Sequence, residues 1–149
     1  MQPVISKSES KSKVINVTTI EVTEKFQCRA SDLYNALTRI EMVTAFTRGQ
    51  VKIDPSPGGI FELFGGNING TFVELIPGEK IVQKWRCKQW PSEHFSTVTM
   101  KISEKSDHTV LNVIQTDVPT SDADVTKQNW ERYYWNSIKQ TFGFGALLH

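Results

Sequence analysis

The sequence predicts an α+β domain in which a curved antiparallel sheet of about seven strands packs against one long C-terminal helix, with two short helices after the first strand. Three observations predict this fold. Residues 19–26 alternate between apolar and polar side chains, and residues 60–116 contain short strand-like segments separated by turn residues. Beyond Pro119 the apolar residues recur with the period of a helix. A chain of 149 residues, 38% of them hydrophobic, is long enough to bury one core of this kind.

Charge and cysteine content exclude several classes of protein. The 17 basic and 16 acidic residues leave a formal net charge of +1, which provides no field for nucleic acid or an anionic membrane. No apolar run approaches the roughly 20 residues of a membrane span, and the first residues lack the apolar stretch of a secretion signal. Cys28 and Cys87 form no CxxC pair, so we expect two reduced thiols in a cytoplasmic protein, without a metal site or a cofactor.

The N-terminal part of the chain predicts a tail, a strand and two short helices. Residues 1–13 are rich in Ser, Lys and Glu and have no periodicity, which predicts a flexible tail before a single domain over residues 14–149. After the first strand, Ser31 is placed to cap a short helix. Thr38 and Glu41 have the spacing of a capping box, which favours a second helix; one continuous helix is the alternative.

Turn residues divide the middle of the chain into strands. The loop 54–59 precedes the first of them, and further Gly, Pro, Asn and Asp residues separate the rest. We expect antiparallel pairing between sequence neighbours in a set of strands at 60–64, 68–76, 81–88, 95–102 and 109–116. Gly70 lies inside one of them, and we interpret it as a bulge or a close approach of two backbones rather than as a hairpin turn.

The C-terminal helix is the best-specified element. Ser121 is its candidate N-cap, and Gly143 is placed to end it. Its apolar stripe is Trp130, Tyr133, Tyr134, Ser137, Ile138, Thr141 and Phe142. A sheet that curves around this stripe buries it, and this is the helix-grip arrangement. We interpret the residues that face the hollow of the sheet as core; the alternative is that they line a ligand cavity. These residues are Phe61, Phe64, Trp85, Trp130, Tyr134, Ile138 and Phe142.

Three blocks of sequence resemble one protein family. They are GNINGTFVELIP at 66–77 with KIVQKWR at 80–86, WP at 90–91 with HFSTVT at 94–99, and QNWERYY at 128–134 with IKQTFGFG at 138–145. In this order they resemble the C-terminal domain of the activator of the heat shock protein 90 ATPase, a START-like domain. The resemblance implies a co-chaperone that binds heat shock protein 90 and favours its closed, ATPase-competent state. We expect the separate N-terminal domain of that family to be absent from this chain, and strong stimulation by this chain alone is not expected.

One loop has the composition of a contact surface, because Arg and Trp are enriched among interface anchors. We expect it to contact the chaperone through a set of six residues: Arg86, Lys88, Trp90, Pro91, His94 and Phe95. The alternative for Trp90 is that its side chain closes the end of the sheet.

No pattern nominates catalytic residues. His94, His108 and His149 are scattered, and the chain has neither a nucleophile elbow nor an acid and base at a useful spacing. We therefore expect a binding protein rather than an enzyme. Two rival functions are a carrier of a small hydrophobic ligand in the cavity under the helix, and a cyclase- or hydrolase-like enzyme on the same fold.

Overall fold

The computed structural model describes residues 15–145. The tail predicted over residues 1–13, and His149, lie outside the described residues. The chain forms, in order, β1 (Val17–Phe26), α1 (Ala30–Thr38), α2 (Ile40–Thr47), β2 (Lys52–Ile53), β3 (Ile60–Leu63), a 3₁₀ turn (Phe64–Gly66), β4 (Ile68–Ile76), β5 (Lys80–Cys87), β6 (Ser96–Glu104), β7 (Thr109–Pro119), a second 3₁₀ turn (Thr120–Asp122), α3 (Ala123–Asn129), a π-helical segment (Trp130–Trp135) and α4 (Asn136–Phe142).

The seven strands form one sheet in the order β1-β7-β6-β5-β4-β3-β2. Every neighbouring pair is antiparallel, so β2 to β7 make a meander and β1 joins its far edge beside β7. The predicted fold class is thus confirmed. The short strand β2 has no counterpart among the strands predicted from the sequence, because two residues are too few to show an alternating pattern.

Gly70 marks a close approach of two strands. It pairs with Trp85 inside β4 and β5, and a Cβ atom on it would lie 1.7 Å from the Lys84 carbonyl oxygen and 2.9 Å from Cζ of Phe61. Only glycine therefore fits this position. The interpretation as a close approach within a strand is confirmed; the bulge in β4 lies between Phe72 and Glu74.

The two short helices are confirmed, but the predicted caps are wrong. Thr38 remains in α1, and its hydroxyl donates to the Tyr34 carbonyl 2.8 Å away, so it is not available to cap α2. Arg39 is the boundary residue between the helices, in an extended conformation. At the start of α1, the Arg29 backbone N–H donates to the Asp32 carboxylate at 3.2 Å, and Ser31 is already helical.

The C-terminal helical region contains a π-helical segment that the stripe of apolar residues did not predict. Ser121 belongs to the preceding 3₁₀ turn, so Asp122 is the residue before α3. The wider π turn shifts the register of the side chains by about one residue. As a result Trp135, absent from the predicted stripe, is only 2% exposed, whereas Tyr133 of that stripe is 45% exposed. Gly143 ends α4 in the left-handed conformation, as predicted.

The core lies between the concave face of the sheet and the C-terminal helices. The Trp130 ring stacks on Trp85 and on Trp135, with ring centroids 5.3 Å apart in each pair. Phe61, Trp85, Trp130, Tyr134 and Ile138 are buried. Phe64 and Phe142 pack against this core and are partly buried.

Candidate protein-interaction site

The predicted contact surface is the loop between β5 and β6, residues 88–95, which we name the interaction loop. It leaves the sheet at the end of β5, where Cys87 pairs with Ile68 at the start of β4. The Lys88 backbone N–H donates to the Asn67 carbonyl at 2.8 Å, which ties the loop to the turn between β3 and β4. The loop therefore belongs to the end of the sheet that also carries this turn.

Arg86 supports the interaction loop from beneath. Its Nη2 donates to the carbonyl oxygens of Trp90 at 2.7 Å and Pro91 at 3.2 Å, and its Nε donates to the His94 carbonyl at 3.3 Å. The guanidinium carbon also lies 5.8 Å from the centre of the Phe95 ring. Because a charged donor satisfies three loop carbonyls, the loop backbone is held in one shape.

His94 fastens the other side of the loop to β7. Its Nε2 lies 2.8 Å from the Asp117 carbonyl oxygen. A carbonyl can only accept, so Nε2 carries the proton and donates it. The His94 ring also packs edge-on against Trp90, with centroids 5.9 Å apart. His94 and Asp117 are separated by 23 residues in the chain, and no local pattern in the sequence indicates this contact.

Trp90 lies inside the molecule. Its side chain is 4% exposed and packs against Trp85, with ring centroids 5.6 Å apart. Among residues 15–145, its indole Nε1 has no hydrogen-bond partner. This geometry corresponds to closure of the end of the sheet, which is the second of the two roles considered for Trp90.

The exposed members of the predicted set are Lys88, Pro91 and Phe95, and the Phe95 ring is 38% exposed. The structure therefore divides the six predicted residues into two groups. Arg86, Trp90 and His94 make the contacts that shape the loop, and the other three present a positive charge, a rigid ring and an aromatic surface to the outside.

An open groove lies between the interaction loop and the end of β7. It has a volume of about 580 Å³, and its walls include Trp90 and Pro91 on one side and Pro119 and Ser121 on the other.

A chain of buried hydrogen bonds connects the hollow of the sheet to the helix. Trp130 Nε1 donates to Gln115 Oε1 at 2.8 Å, and Gln115 Nε2 donates to Ser96 Oγ at 2.9 Å. Ser96 Oγ in turn donates to the Trp85 carbonyl, and Trp85 Nε1 donates to the Tyr134 hydroxyl at 3.3 Å. These bonds give the indole N–H groups of Trp85 and Trp130 buried acceptors, and the side chains that form them occupy the hollow of the sheet.

The titratable groups of the interior remain neutral. Burial raises the pKa of Tyr134 well above its usual value. Burial also raises the pKa of Cys28 and of Cys87 to about 11, with carboxylates nearby adding to the effect. Both thiols are therefore protonated near neutral pH and are poor nucleophiles.

Two further observations concern metal binding and membrane-spanning helices. Within the described part of the chain, no group of three or more His, Cys, Asp and Glu side chains is arranged to hold a metal ion. None of the helices between residues 15 and 145 has the length and hydrophobicity needed to cross a bilayer.

Comparison with known proteins identifies the family. The family model for Activator of Hsp90 ATPase homolog 1-like protein matches residues 27–143. The human protein named Activator of 90 kDa heat shock protein ATPase homolog 1 is 37% identical over 149 residues, which is 99% of this chain and 44% of that protein. The Hsp90 co-chaperone AHA1 of Saccharomyces cerevisiae is 34% identical over 139 residues, covering 89% of this chain and 40% of the yeast protein.

A solved structure extends the similarity to three dimensions. The crystal structure of an HSP90 activator from Plasmodium falciparum aligns with a TM-score of 0.79 and 30% sequence identity, covering 86% of this chain and 98% of that one. The chain spans less than half of the length of the human and yeast relatives. Since the family model covers well over half of the chain and the parasite structure is matched almost from end to end, the chain belongs to the family of Activator of Hsp90 ATPase homolog 1-like proteins.

Proposed function

We propose that this chain is a cytoplasmic co-chaperone domain that binds the Hsp90 chaperone and favours its closed, ATPase-competent state. The observation that carries the proposal is the similarity, along 99% of the chain, to a protein named as an activator of the chaperone's ATPase. The chain would act by a population shift. It can move the equilibrium of the chaperone only by the difference between its affinities for the closed and open states.

The interaction loop supplies the contact in this proposal. Lys88, Pro91 and Phe95 face outward, and they touch the chaperone directly. Arg86 and His94 hold the loop backbone before the partner arrives. A loop that is already ordered loses little conformational entropy on binding, and this preserves affinity.

The chain contributes binding energy and no catalytic group in this proposal. ATP hydrolysis is carried out by the chaperone, and no cofactor is involved. The alternative, a carrier of a small hydrophobic ligand, is not favoured, because Trp85, Trp130 and Tyr134 fill the hollow that such a ligand would occupy.

Calorimetric titration of purified chaperone, together with its ATP turnover, tests the proposal. Phe95→Ala combined with Lys88→Glu should weaken binding by about tenfold or more, since it removes an aromatic anchor and reverses a charge. Val73→Ala combined with Lys105→Glu is the matched control, because Val73 is 47% exposed and Lys105 is exposed away from the loop.

The outcomes separate the partner from the site. If the wild-type chain neither binds the chaperone nor changes its turnover, the proposed function is wrong. If it binds, and both double variants bind as tightly as wild type, the chaperone is the partner but the interaction loop is not the contact. Thermal melts of each variant show whether the fold is retained.

A further inference from the structure

A second exposed surface lies at the same end of the sheet, built on the side chains of Phe64 and Tyr133, which we name the aromatic ridge. The two rings pack with centroids 5.8 Å apart, and Phe64 also contacts buried Tyr134 at 6.0 Å. The π-helical segment turns Tyr133 outward and leaves it 45% exposed. The ridge thus has an anchored base and an accessible aromatic top.

The backbone under the ridge is held in an unusual conformation. Phe64 has a φ of 55°, and Gly65 and Gly66 follow with φ of 68° and 89°. A bulky residue with positive φ is an outlier that persists only where its surroundings stabilise it. Here the packing of the Phe64 ring on Tyr133 and Tyr134 provides that stabilisation, and the turn holds the ring at the surface.

The ridge separates two concavities of similar size. One has a volume of about 390 Å³ and the other about 410 Å³, and Phe64 and Tyr133 form a wall of both. Side-chain amides line the first, including Asn67, Gln89 and Asn129. The second is lined by two arginines, Arg48 and Arg132, together with Asn136, Ser137 and Gln140.

The charge of this surface differs from that of the whole chain. The chain as a whole is nearly neutral, with a net charge of +1. Neither concavity has an Asp or Glu in its lining, whereas both arginines are exposed. Neither guanidinium lies within 4.0 Å of a carboxylate of residues 15–145. Two guanidinium groups therefore face outward without an acidic partner in the described chain.

We propose that the aromatic ridge, with Arg48 and Arg132, is a docking surface for an extended acidic segment of the partner protein. Carboxylates of that segment pair with the two guanidinium groups, whose planar donors match a carboxylate in two-point contact. An apolar side chain between the carboxylates lies on the ridge, and the amides of Asn129 and Gln140 bind the peptide backbone. Tyr and Arg are among the residue types that are enriched as interface anchors.

This surface adjoins the interaction loop. Gln89 of the loop lines the first concavity, and Lys88 N–H is bonded to Asn67 beneath it. One partner can therefore cover both. The proposal rests on the proposed function, because the partner is taken to be the same chaperone. It adds a second contact, in which two arginines pair with acidic side chains of that partner.

Charge reversal at the ridge tests this docking surface, with purified chaperone as the probe. Arg48→Glu combined with Arg132→Glu should weaken binding by about tenfold or more and flatten its dependence on salt. Lys101→Glu combined with Lys105→Glu makes the same change in net charge at the other end of the sheet, and it should leave affinity within about twofold of wild type. Both lysines are exposed, and Lys101 pairs with Lys80 at the far end of β5.

A second pair of variants separates the aromatic contact from the charges. Tyr133→Ala should weaken binding about tenfold or more, and Tyr133→Phe should retain it, because the ring and not the hydroxyl lies on the partner. If the arginine and lysine variants weaken binding equally, the effect is one of general charge and the docking surface is wrong. The docking surface is also wrong if the arginine variant and Tyr133→Ala bind the chaperone as tightly as wild type. Absence of wild-type binding would overturn the proposed function together with it.

Discussion

Replacing Gln115 by Leu should destabilise the domain while leaving its fold intact. Gln115 is fully buried on β7, and its Oε1 accepts the indole N–H of Trp130 at 2.8 Å. Leu has a similar volume but no acceptor, so the Trp130 N–H is left buried without a partner. An orphaned buried donor costs about 1–3 kcal/mol. Ser96 keeps its bond to the Trp85 carbonyl, so no second donor is orphaned.

Urea unfolding followed by tryptophan fluorescence measures this loss. The free energy of unfolding should fall by about 1–3 kcal/mol with an unchanged denaturant slope, and the melting temperature should fall by about 2–4 °C per kcal/mol. The control is Thr116→Leu, on the neighbouring half-buried position that faces the other side of the sheet, which should change stability by less than about 0.5 kcal/mol.

A double-mutant cycle isolates the hydrogen bond itself. Trp130→Phe removes the donor, so Gln115→Leu in that background leaves no orphaned indole N–H. The two changes should therefore cost less together than the sum of their separate costs, by about 1 kcal/mol. Strict additivity, or a Gln115→Leu variant as stable as wild type, would refute the view that this bond ties the helix to the sheet.

Two further predictions concern the sheet and the thiols. Gly70→Ala should cost more than about 3 kcal/mol or prevent folding, because its Cβ would meet the Lys84 carbonyl at 1.7 Å. Gly78→Ala, at φ 75° with open space around it, should cost only about 1 kcal/mol by the same urea titration; equal costs would contradict the close approach. Cys28 and Cys87, each with a pKa of about 11, should be about a thousandth ionised at pH 8, so iodoacetamide labelling should be slow until urea is added and should accelerate with pH. Labelling of the native protein as fast as that of the unfolded chain would show that burial does not suppress the thiolates.

The sheet was predictable because its signals are local. Gly, Pro, Asn and Asp residues mark the turns of the meander. Gly70 could be placed inside a strand because the segments on either side were too short to stand alone. β4 was predicted with its observed bounds. The strand β7 continues to Pro119, past the predicted end at residue 116, because it pairs with β1, whose start is about 100 residues away in the chain.

The errors arise where tertiary contacts override local patterns. The stripe of helical spacing assumed 3.6 residues per turn throughout, and the π-helical segment breaks that assumption between Trp130 and Trp135. Thr38 bonds to the preceding turn rather than capping the next helix. Composition marked the interaction loop as a surface, but it could not show that Arg86 points back to the loop carbonyls. Such a bond depends on the three-dimensional path of the loop.

The same contacts explain why the two proposed surfaces act as one body. Trp90 of the interaction loop packs on Trp85, Trp85 stacks on Trp130, and Trp130 adjoins Tyr134, which supports the aromatic ridge through Phe64. Each contact in this series joins rings that are buried or partly buried, where close packing leaves few alternative arrangements. A partner that contacts both surfaces therefore meets a preformed shape, and its binding energy is not used to order the loop against the helix.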